Sequence, residues 1–202
     1  RTALDVINDN NTVSWYDIFD TATITKDGSN FVSKVADKLG SGRDLNQLTS
    51  ANKPILNSEG LYFDGANDYL KSETFTFDQP AMIYMVVKYH TWSTGDWIMD
   101  GYNANTAGIV GQTSSPRMKL TTGTGTMLND GFTLNQFGII RALVNGLRSK
   151  FYFNNIPPFD LGTNLGTTGL AGITLGAYGS NSATAVITVK EVIYRKKVDT
   201  LD

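Results

Sequence analysis

Two aspartates and an asparagine surround a glycine in "LYFDGANDYLKSE", residues 61 to 73, and their oxygens could do chemistry. Asp64, Asn67 and Asp68 offer the hard ligands that calcium prefers, and the two carboxyl groups could act as an acid and a base. Their spacing does not follow the D-x-[DN]-x-[DN]-G calcium loop, and these residue types also make tight turns. We therefore predict a hairpin turn over residues 64 to 68 and no cofactor. A structural calcium ion is the less favoured alternative.

Glycoside hydrolysis would require two carboxyl groups about 5 to 9.5 Å apart. The glutamates are Glu59, Glu73 and Glu191, and they lie in separate segments. Asp96 and Asp100 would share one face of a strand, but four residues at about 3.3 Å each separate them by roughly 13 Å. Pairs from distant segments stay open. We predict that the chain is not an enzyme, with a glycan hydrolase or lyase as the less favoured alternative.

His90 is the only histidine, and the chain has no cysteine. A multi-histidine zinc site, a thiolate nucleophile and disulfides are therefore excluded. No G-x-S-x-G segment accompanies His90 for a serine nucleophile, and the glycine-containing segments fit neither the G-x-x-x-x-G-K-[ST] nor the G-x-G-x-x-G pattern. These segments are more typical of turns and a strand.

Residues 81 to 92 are the most informative segment for binding, because side chains alternate between the two faces of a strand. Odd positions form an apolar stripe, whereas even positions become polar and aromatic toward "HTWSTGDW". Aromatic rings can stack on the C–H faces of sugars, and charged donors can bind hydroxyl or carboxylate groups. The candidate carbohydrate-binding residues are Lys88, His90, Trp92, Trp97, Arg148 and Tyr152. The alternative is a solvated face, and the two tryptophans qualify only if they are exposed.

The elements that must position these residues are short and rich in Val, Ile, Thr, Tyr and Phe, with Gly, Asn, Asp and Ser between them, which predicts an all-β chain. "QFGIIRALV" and "RSKFYF", joined through Asn145 and Gly146, predict a hairpin. Helical turns are expected only within residues 44 to 50 and near the C-terminus. The predicted strands are 61 to 64, 68 to 71, 81 to 91, 96 to 100, 107 to 112, 117 to 121, 136 to 144, 148 to 153, 172 to 177 and 185 to 195.

The 202 residues suit one domain, residues 1 to 202, with a sizeable core. A net charge of −2 predicts no attraction to nucleic acid, and the longest apolar run, residues 81 to 87, is too short for a membrane span. The chain opens at Arg1 without an initiator methionine, which suggests a processed product or a fragment of a longer protein.

Segments at both ends of the chain resemble laminin-G-like domains of the bacterial or phage type. At the start, "SWYDIFDTATITKDGSNFVSKVADKLGSG" and "ANKPILNSEGLYFDGANDYL" match the Trp-Tyr-Asp opening, the D-K-x-G-x-G turn, the N-x-P and the F-D-G-x-x-D-Y strand end. At the end, "FYFNN", "LAGITLGAYG" and "VITVKEVIYRKKV" resemble the family's later strands. Val35-Ala36 and Asn154-Asn155 depart from the pattern.

The resemblance implies a two-sheet antiparallel β-sandwich, a jelly roll of the concanavalin A-like lectin and glucanase superfamily. The glucanase motif E-x-D-x-x-E is absent from the chain. Most relatives bind glycans or proteins without catalysis, so we predict a recognition or adhesion module for a glycan or cell-surface polysaccharide. Its expected location is extracellular, on a cell surface or in a virion. The alternative is a structural domain with protein partners in a virion or surface assembly.

Overall fold

The computed structural model describes residues 9–104, 108–110, 116–122, 124–157 and 162–199, and nearly all of their regular structure is β. Short 3₁₀ turns occur at Thr21–Thr23, Ser50–Asn52 and Gly146–Arg148. Within these ranges, no helix has the length and apolarity that a membrane span needs. In chain order the strands are β1 (Thr12–Asp17), β2 (Ile24–Lys26), β3 (Val32–Val35), β4 (Leu45–Asn46), β5 (Ile55–Asn57), β6 (Gly60–Asp64), β7 (Leu70–Lys71), β8 (Ala81–Tyr89), β9 (Trp97–Asp100), β10 (Gly108–Val110), β11 (Met118–Thr121), β12 (Thr126–Asn129), β13 (Phe137–Val144), β14 (Lys150–Phe153), β15 (Thr174–Leu175) and β16 (Val186–Arg195).

The strands form two antiparallel sheets. The seven-stranded sheet has the order β14-β13-β8-β16-β6-β5, and β1 pairs with the second half of β16 beyond the end of β6. The nine-stranded sheet has the order β12-β11-β10-β9-β15-β7-β4-β3-β2. The long strands β8, β13 and β16 therefore lie side by side at the centre of the first sheet.

The core lies between the two sheets and is built by the alternation of side chains along each strand. On β8, Ile83, Met85 and Val87 are buried in it, and on the opposing sheet Leu45 and Leu70 belong to the same cluster. The even-numbered residues of β8 therefore point to the outer face of the seven-stranded sheet. This arrangement confirms the predicted antiparallel β-sandwich.

A β-bulge at Lys190 changes which residues of β16 face the core. Before it, Ile187 and Val189 are buried in the core; after it, Val192 and Tyr194 are. The pairing with β8 shifts register between Val189 and Glu191. A bulge of this kind re-aims a side chain, and here it supplies the outer face with an extra residue.

The acidic turn at residues 64 to 68 is not the hairpin that the sequence predicted. β6 pairs with β5 and β16 in one sheet, whereas β7 pairs with β4 and β15 in the other, so the turn carries the chain across the sandwich. Asp68 Oδ2 accepts the Asp64 backbone N–H at 3.0 Å, and Asp64 Oδ1 accepts that of Ala66 at 2.8 Å. Both aspartates thus accept hydrogen bonds from nearby backbone N–H groups, as is common in tight turns of this composition. Local composition fixed the reversal, but the partner strands are set elsewhere in the chain.

The predicted hairpin at Asn145 and Gly146 is confirmed, since β13 pairs with β14 around the turn Gly146–Arg148. The helical turn predicted within residues 44 to 50 is wrong, because β4 lies there and the 3₁₀ turn begins at Ser50. The strands before Gly60 were missed. Except for β1 they have only two to four residues, too few for a clear alternation.

Candidate functional site

The outer face of the seven-stranded sheet carries a group of cationic and aromatic side chains near the C-terminal end of β8 and the bulge of β16. Pairing aligns Phe137 of β13 with Lys88 of β8, and Lys88 with Thr188 of β16, which in turn pairs with Tyr62 of β6. His90 follows Lys88 on the same face. We call this group the cation–aromatic strip; its members are Phe19, Glu59, Tyr62, Lys88, His90, Phe137 and Lys190.

Lys88 is a cation that already has a partner within the protein. Its Nζ lies 2.6 Å from Glu59 Oε2 and 5.0 Å from the Phe137 ring centroid, and the residue is only 7% exposed. The hydrogen bond from Lys88 lowers the pKa of Glu59. Lys88 therefore fixes the position of Glu59, whose side chain is 52% exposed and can accept hydrogen bonds from a ligand.

Lys190, the bulge residue, is the available cation of the strip. Its Nζ lies 3.9 Å from the centroid of Phe137 and 5.8 Å from that of Phe19, distances suited to cation–π attraction. Over the residues that the structure describes, its ammonium has neither a carboxylate partner nor a hydrogen-bond acceptor. Its three N–H donors are therefore free to bind a ligand.

Phe19 reaches this site because the end of β1 is tied to the bulge. The Ile18 N–H donates to the Lys190 carbonyl at 3.1 Å, and the Phe19 N–H donates to Asp17 Oδ1 at 3.1 Å. The Phe19 ring is 55% exposed. An exposed ring beside an available ammonium is the pairing of apolar and polar contacts that saccharides require.

His90 serves the strip as a neutral hydrogen-bonding group. Its Nε2 lies 2.8 Å from Thr188 Oγ1, and its ring meets that of Tyr62 edge to face with centroids 5.4 Å apart. Burial and the nearby Lys88 charge lower the His90 pKa. This shift favours the neutral imidazole, and Lys190 supplies the positive charge.

Trp15 borders the strip and is fully engaged in contacts within the protein. Its Nε1 donates to Glu191 Oε1 at 2.8 Å, and Lys38 Nζ lies 4.4 Å from its ring centroid. The same ammonium pairs with Asp17 at 2.7 Å and Asp20 at 3.0 Å, which raises the Lys38 pKa. The side chains of this border therefore have partners within the protein.

Tyr152 and Arg148 lie at a different part of the molecule from the strip. Tyr152 opposes Arg141, whose guanidinium carbon lies 5.2 Å from the Tyr152 ring centroid, and it packs in a small cluster with Tyr84. Arg148 is exposed in the loop of the β13–β14 hairpin. Tyr152 lies on the outer face with Tyr84, and neither Tyr152 nor Arg148 joins Lys88.

Neither tryptophan of "HTWSTGDW" offers a free ring on the outer face. Trp92 is half-buried and stacks on Phe132 with centroids 4.6 Å apart, against the core. Trp97 is 9% exposed and lies on β9 of the other sheet, its ring 4.4 Å from that of Tyr178. Of the six predicted residues, the structure therefore brings together only Lys88 and His90.

The sequence reasoning did not predict the other members of the strip, which are Phe19, Glu59, Tyr62, Phe137 and Lys190. A signal for Lys190 exists in "VITVKEVIYR", where the apolar positions change parity across the adjacent charged residues Lys190 and Glu191. Such a change indicates a bulge. No local signal exists for Phe19, because its place depends on the pairing of β1 with a strand some 175 residues away.

Metal binding finds little support among the described residues, where no group of three or more His, Cys, Asp or Glu side chains could hold an ion. In the acidic turn, burial raises the pKa of Asp68 to about 6, because its carboxylate is removed from water. Asp64 is exposed. The two aspartates are joined through the backbone of the turn.

No protein-family model matches the chain, and no curated protein sequence matches it. Among solved structures, it is similar to Trypanosoma rangeli sialidase in complex with sialic acid, with a TM-score of 0.69 and 12% identity over 94% of this chain. The chain spans only 31% of the length of that sialidase. It is also similar to domain 4 of AbnA, a GH43 extracellular arabinanase from Geobacillus stearothermophilus, in complex with arabinotriose (TM-score 0.65, 14% identity, 94% of both chains). A third similar structure is a GH54 α-L-arabinofuranosidase mutant (TM-score 0.66, 13% identity, 84% of this chain and 48% of that chain). At these identities the likeness establishes the β-sandwich fold.

Proposed function

We propose that this chain is a non-catalytic carbohydrate-recognition module that binds a glycan on the cation–aromatic strip. The observation that carries the proposal is the Lys190 ammonium, which lies between the rings of Phe19 and Phe137 without an acceptor among the described residues. An ammonium in this setting donates to sugar hydroxyls or to a carboxylate. The exposed face of Phe19 packs against the C–H surface of a sugar ring.

The polar neighbours of Lys190 complete the recognition chemistry. Glu59, held by Lys88, accepts hydrogen bonds from hydroxyl groups, and Tyr62 contributes a hydroxyl on the same row of the sheet. Sugar sites commonly need acceptors as well as donors, since each hydroxyl is both. The strip is preorganised by strand pairing, so a ligand orders few side chains on binding.

The proposal of a non-catalytic role is supported by the state of the glutamates on this face. Glu59 is bound to Lys88, and Glu191 accepts the Trp15 indole N–H. A glycosidase acid must carry a proton near the working pH, which requires a raised pKa. The pKa of Glu59 is instead lowered by Lys88. We therefore expect no glycan hydrolase or lyase activity from this face.

We propose further that the module is a jelly roll of the laminin-G-like, concanavalin A-like type, a proposal that the sequence motifs and the two-sheet fold support. Its expected setting is an extracellular, cell-surface or virion protein. The similarity to domain 4 of AbnA supports a binding role, because that domain has a comparable size and was solved with arabinotriose. No cofactor is part of the proposal.

A structural role in subunit contacts is the second candidate. The observation that favours it is the exposure of apolar side chains on the same face, with Phe19 at 55% and Ile139 at 46%. Such side chains can form the apolar centre of a protein interface. This candidate predicts concentration-dependent self-association that Ile139→Ser weakens, whereas glycan binding predicts none.

The test is a glycan array followed by calorimetric titration of the best binder. We expect Phe19→Ala and Lys190→Gln each to weaken binding roughly tenfold, equivalent to about 1.4 kcal/mol. Leu48→Ala and Lys119→Gln are the matched controls, because Leu48 is 88% exposed away from the strip and Lys119 lies on β11 of the other sheet. An array without any binder, or equal losses in strip and control variants, would contradict the proposal.

A further inference from the structure

A polar cleft, separate from the strip, lies at the end of the sandwich where β1 and β8 begin and β16 ends. It consists of two cavities of about 370 and 440 Å³ that share Thr76, Phe77 and Asp78 as walls. Volumes of this size are typical of small-ligand sites. Eight residues of chain at about 3.3 Å each separate Pro80, in the cleft, from Lys88, so the two surfaces are roughly 26 Å apart.

Arg43 lines this cleft and is held in place from two sides. Its Nη1 donates to the Val13 carbonyl at 2.6 Å, and its guanidinium carbon lies 4.9 Å from the ring centroid of Phe75. Across the described part of the chain, the guanidinium has no carboxylate partner and no other side-chain acceptor. Because a guanidinium presents several N–H donors in a rigid fork, those that remain are aligned for a planar, two-oxygen acceptor.

A second cation, Lys196, lines the same cavity, together with the hydroxyls of Thr12 and Thr76. Lys196 is exposed and, among the described residues, makes no ion pair. The lining also contains the carboxylate of Asp78. The two cations and this single carboxylate give the lining a net positive charge. The cleft therefore attracts a single anionic group, and its hydroxyls suit a ligand that is otherwise polar.

The geometry points to a second binding site, in which Arg43 and Lys196 hold the carboxylate of an acidic sugar within a saccharide ligand. Arg43 binds the two carboxylate oxygens side by side, Lys196 adds a point charge, and the threonines bind neighbouring hydroxyls. Asp78 accepts hydroxyl groups and disfavours a second carboxylate next to the first. The inference shares with the proposed function only the premise that the ligand is a saccharide.

The experiment compares trigalacturonate, its methyl ester and triglutamate by calorimetric titration of the full chain at low ionic strength. We expect trigalacturonate to bind at least about tenfold more tightly than the ester, because esterification removes the charge and the two-oxygen acceptor. Arg43→Lys should weaken binding of the acid about tenfold and leave the affinity for the ester unchanged, since lysine keeps the positive charge but lacks the paired N–H donors of the guanidinium. Lys196→Gln should cost about threefold, and the neighbouring Lys197→Gln is the matched control.

Equal binding of acid and ester, absence of trigalacturonate binding at about 10 mM, or tighter binding of triglutamate would each overturn the inference; the last would identify an acidic-peptide site. The comparison of the ligands on the unmodified chain does not depend on any variant folding correctly, and melting temperatures check the variants. Phe19→Ala should leave the ratio of the affinities for the acid and the ester unchanged. If Arg43→Lys has no effect while Phe19→Ala abolishes binding, only the inference about the cleft is refuted. If Phe19→Ala has no effect while Arg43→Lys abolishes binding, only the proposed function of the strip is refuted.

Discussion

Asp68 gives the sharpest quantitative prediction, because it is a buried carboxylate in a turn that must cross between two sheets. It is 5% exposed, and burial raises its pKa from an ordinary 3.8 to about 6. The folded state thus holds the proton more tightly than the unfolded state. Stability from this group is complete below about pH 4 and is lost as the pH rises through about 6. A difference of about two pKa units corresponds to at most about 3 kcal/mol at neutral pH.

Asp68→Asn removes the charge and keeps an oxygen that can accept the Asp64 N–H. We expect the variant to match the wild type at pH 4 and to exceed its free energy of unfolding by up to about 3 kcal/mol at pH 7.5. Other carboxylates change stability with pH in both proteins, so the difference between the proteins isolates Asp68. Urea denaturation followed by tryptophan fluorescence at several pH values measures that difference.

Asp27→Asn is the matched control. Asp27 is also a turn aspartate that accepts backbone N–H groups, from Ser29 at 2.9 Å and Phe31 at 3.0 Å, but it is exposed. The control should keep the wild-type dependence of stability on pH. The reasoning fails if Asp68→Asn is less stable than the wild type at pH 7.5, or if its advantage does not grow between pH 4 and 7.5.

Three further predictions concern stability. Arg195→Ala should lower the free energy of unfolding, measured in urea, by about 3 to 5 kcal/mol, because Arg195 is 2% exposed and its loss leaves the carboxylates of Asp9 and Asp199 without their cation. An effect below about 1 kcal/mol would contradict this. Gly65→Ala should destabilise by roughly 1 to 3 kcal/mol, since φ is +75° and a Cβ would overlap Val186, whereas Gly28→Ala, with open space around it, should be near neutral in the same assay. Deletion of Lys190 should leave the chain folded, as judged by circular dichroism, because the bulge adds one residue to the outer face and its removal leaves a regular alternation in which Val189 and Val192 still face the core; an unfolded deletion variant would contradict the assigned parity.

Arg195 also explains how the two ends of the described chain are joined on the outer face. Its guanidinium donates to both oxygens of Asp9, with Nη2 at 2.9 Å from Oδ2, while Nε donates to Asp199 Oδ2 at 2.6 Å. Tyr84 donates to the same Asp199 oxygen at 3.0 Å. Because Arg195 lowers the pKa of Asp9, this part of the stability is present at neutral pH and is lost as the pH falls.

The sequence by itself determined the fold class and the faces of the longer strands. The alternation in β8 predicted which of its side chains enter the core, and Asn145 with Gly146 predicted the hairpin between β13 and β14. These properties are local, because a strand of eight or nine residues has enough alternating positions to fix its buried face, and a tight turn depends on backbone angles at a few residues. Lys88 and His90 were identified from this alternation alone.

Only the tertiary structure decided which of these faces carries a site and which residues complete it. Phe19 meets Lys190 because β1 pairs with β16, and Trp97 lies in the other sheet. Lys88 is neutralised because Glu59 precedes β6, which is separated from β8 only by β16. The composition of the turn at Asp64 likewise predicts a chain reversal. The turn nevertheless connects strands of two different sheets rather than two neighbouring strands of one sheet. The physical reason is that apolar residues at every second position show which face of a strand is buried, but they do not show which strands it pairs with. Those partners are fixed by burial and pairing summed over the whole chain.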